Sequence, residues 1–300
     1  MTTKNVSMQP TVSSPVETPR WLEIIREMTL RSEGVISLVL VGMLIILLVF
    51  APLIANYDPA QQDIQHRLEG PSTEHWLGTD HLGRDLFSRL IFGTRVALGT
   101  AFPSVSAALI MGIVLGLAAG YMGGNVDNVI LVIMDTLQAF PAVILTLALL
   151  ALLGASATNV IIVIAIAYTP GYARIVRAQV LSYKENPFVE VERSLGATDL
   201  RIIFIHIFPN ILAPLVILLA MDLPTAITTE AGLSFLGLGV KPPTPSWGII
   251  LADGFAKIRN SPWPVLWASL MLMVTTLGFT LFGETLRDVL DPKLAGTRRA

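Results

Sequence analysis

"VISLVLVGMLIILLVFAPLIA", residues 35–55, contains no charged side chain. A strand cannot cross a bilayer alone, because its backbone N–H and C=O groups find no partners in hydrocarbon. The run therefore reads as a helix. About 20 apolar residues cross ~30 Å of hydrocarbon, whereas the core of a secretory signal holds about 7–15. The stretch reads as a retained anchor, preceded by a polar segment, 1–34, with Ser, Thr and Pro.

The whole chain follows the same composition. Of its 300 residues, 53% are hydrophobic and 14% charged, against roughly 25% charged in soluble domains. The class is a membrane protein. A net charge of −2 gives no reason to expect nucleic acid. The absence of cysteine excludes disulfides, thiolate metal sites and a Cys nucleophile, and leaves the compartment open.

Working outward, hydropathy predicts five more spans: 96–121, 128–153 (interrupted by Asp135), 159–173, 202–230 and 265–283. The fold class is all-α with six transmembrane helices. No Lys or Arg occurs between Val96 and Ala173 or between Ile202 and Val240. With the N-terminus in the cytoplasm, the inner segments hold nearly twice as many Lys and Arg as the outer ones, as the positive-inside rule requires. Residues 56–95 and 231–264 then face outward, and the C-terminal tail, 287–300, faces the cytoplasm with the N-terminal tail, 1–34. Trp263 and Trp267 fall near an outer boundary, where indoles anchor.

A short charged stretch, 184–201, interrupts this apolar chain on the cytoplasmic side. In "NPFVEVERSLGATDLRIIFIHIFPN", residues 186–210, Asn186 suits an N-cap and Pro187 the first helical position. Gly196 suits the left-handed residue beyond a helix end. Phe188, Val191 and Leu195 share one face, flanked by Glu190, Glu192 and Arg193. A helix this short is marginal alone and needs a partner. One reading is a helix seated in a groove on another protein. The other is an amphipathic helix on the lipid surface, against which two glutamates would meet an often anionic leaflet.

Glu190-Val191-Glu192, Gly196 and Pro209 resemble the EAA loop of binding-protein-dependent ABC importer permeases. Val191 and Glu192 stand where that pattern has alanines, His206 where it has Ile, and Phe208 where it has Leu. Three further stretches resemble the C-subunit type of dipeptide and oligopeptide permeases: "HWLGTDHLGRDLFSRLIFGTR" (75–95), "SFLGLGVKPPTPSWG" (234–248) and "GETLRDVLDPKL" (283–294). The resemblance covers about residues 34–294. It implies a five-helix type I permease core, 96–286, beside the anchor helix, in a bacterial inner membrane. It implies a coupling helix, with Glu190 and Gly196 in its loop, docked on a cytoplasmic ATPase. The implied partners are a homologous second permease, two ABC ATPases that bind ATP and Mg²⁺, and an extracytoplasmic substrate-binding protein. The cargo implied is a dipeptide or oligopeptide, with glutathione, nickel chelates, opines and sugars left open.

The residues agree with that division of labour. No Gly-Lys pair exists, so the chain lacks the lysine of a phosphate loop. It is expected to hold no cofactor and no catalytic residue. His66, His75, His81 and His206 lack zinc-enzyme spacing, and Ser234 has no accompanying base. "GTDHLGRD" lacks the alternating acids of a calcium loop. It reads as a turn-rich lid or partner contact, with Gly78 and Gly83 making turns and Arg84 pairing with Asp80 or Asp85. Ionisable groups inside a bilayer cost at least ~2.5–3.5 kcal/mol and face a cavity or partner. Asp222 and Glu230, eight apart, can share a helix face. They are candidates for the cargo path or for contacts between helices. Asp135 is a third candidate, for which the interhelical contact is favoured. Asp127 and Glu284 read as solvated at the inner interface. A secondary transporter driven by an ion gradient is the competing reading.

Overall fold

The computed structural model describes residues 20–290, and the expected tail residues 1–19 and 291–300 lie outside the described residues. Among the described residues the chain is all-α, with one isolated bridge between Thr79 and Asp85. The helices are α1 (Arg20–Thr29), α2 (Ser32–Ile54), α3 (Leu86–Met122), α4 (Gly124–Gln138), α5 (Ala142–Leu153), α6 (Ala157–Lys184) and α7 (Pro187–Ser194). After a turn at Asp199–Arg201 and a π-helical turn at Ile202–Ile207 come α8 (Phe208–Phe235), α9 (Trp247–Ala256) and α10 (Trp263–Leu290). Among the described residues, five helices are long and apolar enough to cross a membrane, and the bent pair α4–α5 makes up to six.

α2 is apolar on every side. Val39, Ile46, Val49 and Leu53 are exposed, while Gly34, Ser37, Val41, Leu44 and Ala51 form a narrow buried stripe. An all-round apolar surface suits lipid. The stripe packs on α3 and α10. At the bundle's centre, α3 and α6 share the most extensive contact. Gly112, Gly116 and Gly120 recur every four residues and so form one line. A Cβ there would come within 2.3, 2.5 and 2.8 Å of Tyr172, Val176 and Val180. Small residues at this spacing let two backbones approach closely, which stabilises membrane helix pairs through packing.

Two expected boundaries shift. α3 starts at Leu86, not Val96, so Arg89 and Arg95 are helical. Arg95 Nε donates to the Leu48 carbonyl at 2.8 Å. The expected loop after residue 173 is also helical, because α6 runs on to Lys184. The third expected span is two helices, bent by 90° between Gln138 and Ala142. Pro141 ends that break, and proline disfavours helical geometry at the residue before it.

The chain order defines two ends. Residues 56–85 and α9 lie at the cap end, where α3 begins. α7 lies at the loop end, where α3 and α6 finish. α9, at ten residues, is too short to cross. Trp247 plugs it into the bundle: the indole is fully buried, and Nε1 donates to the Leu90 carbonyl at 2.9 Å. Gly93 gives it room, since a Cβ there would sit 2.6 Å from the indole.

Candidate functional site

The loop end carries the short helix expected at 184–201. α7 begins at Pro187, which supplies a fixed φ, although Asn186 makes no side-chain cap. It finishes in a Schellman turn: Gly196 has φ +85°, its N–H bonds to the Arg193 carbonyl at 3.0 Å, and Ala197 N–H bonds to the Glu192 carbonyl at 3.0 Å. Glycine is required there by conformation, because a Cβ would meet open space.

Val189 anchors α7. Buried to 1% exposure, it packs in a cluster with Leu117, Val176, Val180, Ile202, Ile207 and Ile211. The expected apolar face points the other way: Phe188, Val191 and Leu195 are 37%, 57% and 77% exposed. Glu190 is exposed beside them. Glu192 turns toward the π-helical turn, its Oε2 3.6 Å from His206 Nε2, an atom with no hydrogen-bond partner. The Phe188 ring lies 6.4 Å from the His206 ring. Arg193 reaches the Tyr121 hydroxyl at 3.3 Å, which raises its pKa above the ordinary value and keeps it charged. The loop thus holds a fixed backbone, one buried anchor and an apolar face left exposed among the described residues.

The cap end is built on ion pairs. Asp80 accepts from Arg84 Nε at 2.6 Å and from the backbone N–H groups of Leu82 and Arg84 at 2.8 and 3.0 Å, with Arg89 Nε at 3.3 Å. Arg84 therefore pairs with Asp80, not Asp85, and it also reaches Asp253 of α9 at 3.4 Å. Asp85 caps α3 through Ser88 N–H at 2.8 Å and holds His75 Nδ1 at 2.9 Å. Gly78 and Gly83 have φ +84° and +74°, and a Cβ on Gly83 would lie 1.6 Å from the Asp63 carbonyl oxygen. No group of three or more potential metal ligands occurs among the described residues.

The acids expected along a cargo path separate. Glu230 is fully buried, and Oε1 accepts from Ser234 at 2.7 Å and Ser246 at 3.1 Å, tying α8 to the start of α9. Of the two roles expected for that residue, these bonds match the contact between helices: a carboxylate at a tight corner joins two elements. Asp222 is half-buried and faces Tyr168 and Tyr172 of α6. Asp135 pairs with Arg174, linking α4 to α6. Asp127 was expected to be solvated, but it holds Arg177 through two contacts of 2.5 and 2.6 Å. The extension of α6 brings both arginines alongside α4. Sequence reasoning passed over Val189, Trp247 and Tyr121. The four-residue glycine spacing on α3 was readable as a close helix seam.

A family model described as "Binding-protein-dependent transport system inner membrane component" matches residues 112–296, which take in α7 and its bed. The chain belongs to this permease family. A second model, "N-terminal TM domain of oligopeptide transport permease C", matches residues 21–71 of the permease. The permease is 41% identical over 274 residues to the dipeptide transport system permease protein DppC of Alkalihalophilus pseudofirmus, covering 91% of this chain and 90% of that one. It is 40% identical to the glutathione transport system permease protein GsiD of Pectobacterium atrosepticum, covering 93% of both. It is 38% identical to the nickel transport system permease protein NikC of Escherichia coli, covering 86% and 94%. The permease superposes on an inward-facing structure of the MetNI methionine ABC transporter with a TM-score of 0.54 at 19% identity, over 67% of this chain and 96% of that one. It is therefore a type I ABC importer permease, a transport subunit that is not itself catalytic.

Proposed function

We propose that this permease is one of two homologous membrane subunits of an ATP-driven importer of dipeptides or oligopeptides. The observation that carries the reading is the uncovered apolar face of α7, Phe188, Val191 and Leu195, on a loop whose backbone is fixed. A rigid helix with apolar anchors and a charged rim fits a groove in a partner protein. The partner is a cytoplasmic ABC ATPase, two copies of which bind ATP and Mg²⁺. The loop end and both termini face the cytoplasm of a bacterial inner membrane. The cap end meets an extracytoplasmic substrate-binding protein.

The cargo class follows the relatives named for dipeptide and glutathione transport. The cargo path runs beside the exposed stripe Met221, Thr225 and Thr228 on α8. Above it, Thr225, Thr228 and Gly232 line a cleft of about 230 Å³ with Val143 and Thr146 of α5. Asp222 flanks that stripe.

The test is purification of the tagged permease from native membranes, followed by mass spectrometry and reconstitution. A second permease and P-loop ATPases should co-purify, and ATP should drive uptake of dipeptides or oligopeptides. Uptake by this chain alone on an ion gradient would overturn the importer reading. ATP-driven uptake of nickel without peptides would overturn the cargo.

A further inference from the structure

Tyr121 lies at the end of α3, where the bundle meets the loop. The residue is 8% exposed, yet it gathers contacts from three parts of the following chain. Lys184, the last residue of α6, donates to the Tyr121 carbonyl at 2.7 Å and stands 5.4 Å from the ring centroid. Arg193, in the last turn of α7, reaches the hydroxyl at 3.3 Å, with Cζ 5.9 Å from the centroid. The hydroxyl in turn donates to Asp199, at the start of the turn into α8. Arg193 and Asp199 are 3.9 Å apart and largely exposed, at 48% and 70% of their side chains. The exposed pair alone would be weak. The phenol that joins it is fixed by packing.

The other attachments of α7 differ in kind. Val189 makes apolar contacts, which have no direction. The Glu192–His206 approach, at 3.6 Å, exceeds hydrogen-bond length. The Tyr121 hydroxyl makes directional, charge-assisted bonds. One residue before it, Gly120 closes the glycine seam between α3 and α6. This phenol is therefore the point where directional bonds tie α7 to the end of the central helix pair.

We infer that Tyr121 is a positioning residue for coupling: it transmits movement of α7 to the α3–α6 pair. This rests on the reading of α7 as the ATPase contact. The experiment uses the complete importer in proteoliposomes, with peptide uptake and ATP hydrolysis measured together. Tyr121→Phe removes the hydroxyl, with its bonds to Arg193 and Asp199, and keeps the ring, and Asp199→Ala removes the acceptor of that hydroxyl from the exposed side. Each should lower peptide imported per ATP hydrolysed by about tenfold, the order expected for one charge-assisted bond. KM for peptide and the amount of assembled complex should stay unchanged. The double variant should be no worse than Tyr121→Phe alone, because the bond to Asp199 is already lost with the hydroxyl. Leu195→Arg is run beside them. If Leu195→Arg uncouples while both Tyr121→Phe and Asp199→Ala transport normally, the role of Tyr121 is wrong and the reading of α7 stands. If Leu195→Arg transports normally, both fall. Additive losses in the double variant would also overturn the role of Tyr121.

Discussion

The two ends of this permease treat charge and apolar surface in opposite ways. At the cap end, Asp80, Arg84 and Arg89 are buried together, with both arginines within 3.3 Å of the Asp80 carboxylate, and Trp247 seals α9 to the bundle. At the loop end, α7 leaves Phe188, Val191 and Leu195 uncovered and its charges at the rim. The buried charges of the cap meet their counter-charges among the described residues. The loop is rigid yet incomplete, which is what a contact with another subunit requires. Damage to the cap should therefore appear as lost stability, and damage to the α7 face as lost coupling.

The largest effect is expected at Asp80. Asp80→Ala leaves Arg84 and Arg89 without their shared carboxylate, and breaking a buried pair costs about 3–5 kcal/mol. Thermal unfolding in detergent should show the loss. An unchanged midpoint would mean that the cap is not held by this pair. Next comes the seam: Gly116→Val places side-chain atoms where even a Cβ would lie 2.5 Å from Val176. Overpacking of this kind costs about 1–3 kcal/mol and should reduce folded protein after extraction. Leu195→Arg is the contrasting case. An exposed substitution should leave stability within about 0.5 kcal/mol. Uptake per ATP should fall at least about tenfold, the penalty of one poorly seated anchor.

The smallest effect concerns the exposed Asp63–His66 pair at the cap, 2.9 Å apart. Its hydrogen bond to Asp63 raises the His66 pKa, and the same bond lowers that of Asp63. The contribution of His66 is complete below the ordinary histidine value of about 6.5. It is lost as pH rises through the raised one. The depressed Asp63 keeps its own contribution until pH falls well into the acid range. His66→Gln should narrow the difference between unfolding midpoints at pH 5.5 and pH 8. An identical pH dependence in wild type and variant would contradict the pair.

The contrast between the ends was partly legible in the sequence. The apolar face of α7 and the role of Gly196 followed from spacing and glycine chemistry, because both are local. So did the turns at Gly78 and Gly83. The break before Ala142 was hidden, since hydropathy sums side-chain transfer and does not sense backbone direction. Arg89 and Arg95 seemed to forbid helix inside the span. The counter-charge of Asp80 and the carbonyl of Leu48 lie in other parts of the chain. The choice between the two expected roles of Glu230 was hidden for a related reason. A shared helix face does not say whether that face meets water, and only Ser246 on the returning segment shows that it is closed.

The most direct test of the docking role places a photo-reactive amino acid at Leu195 in the native membrane and identifies the adduct. A covalent product with a P-loop ATPase is expected, lost when Val191 and Phe188 are replaced by aspartate. Adducts confined to lipid would contradict it and make α7 a surface-resting helix.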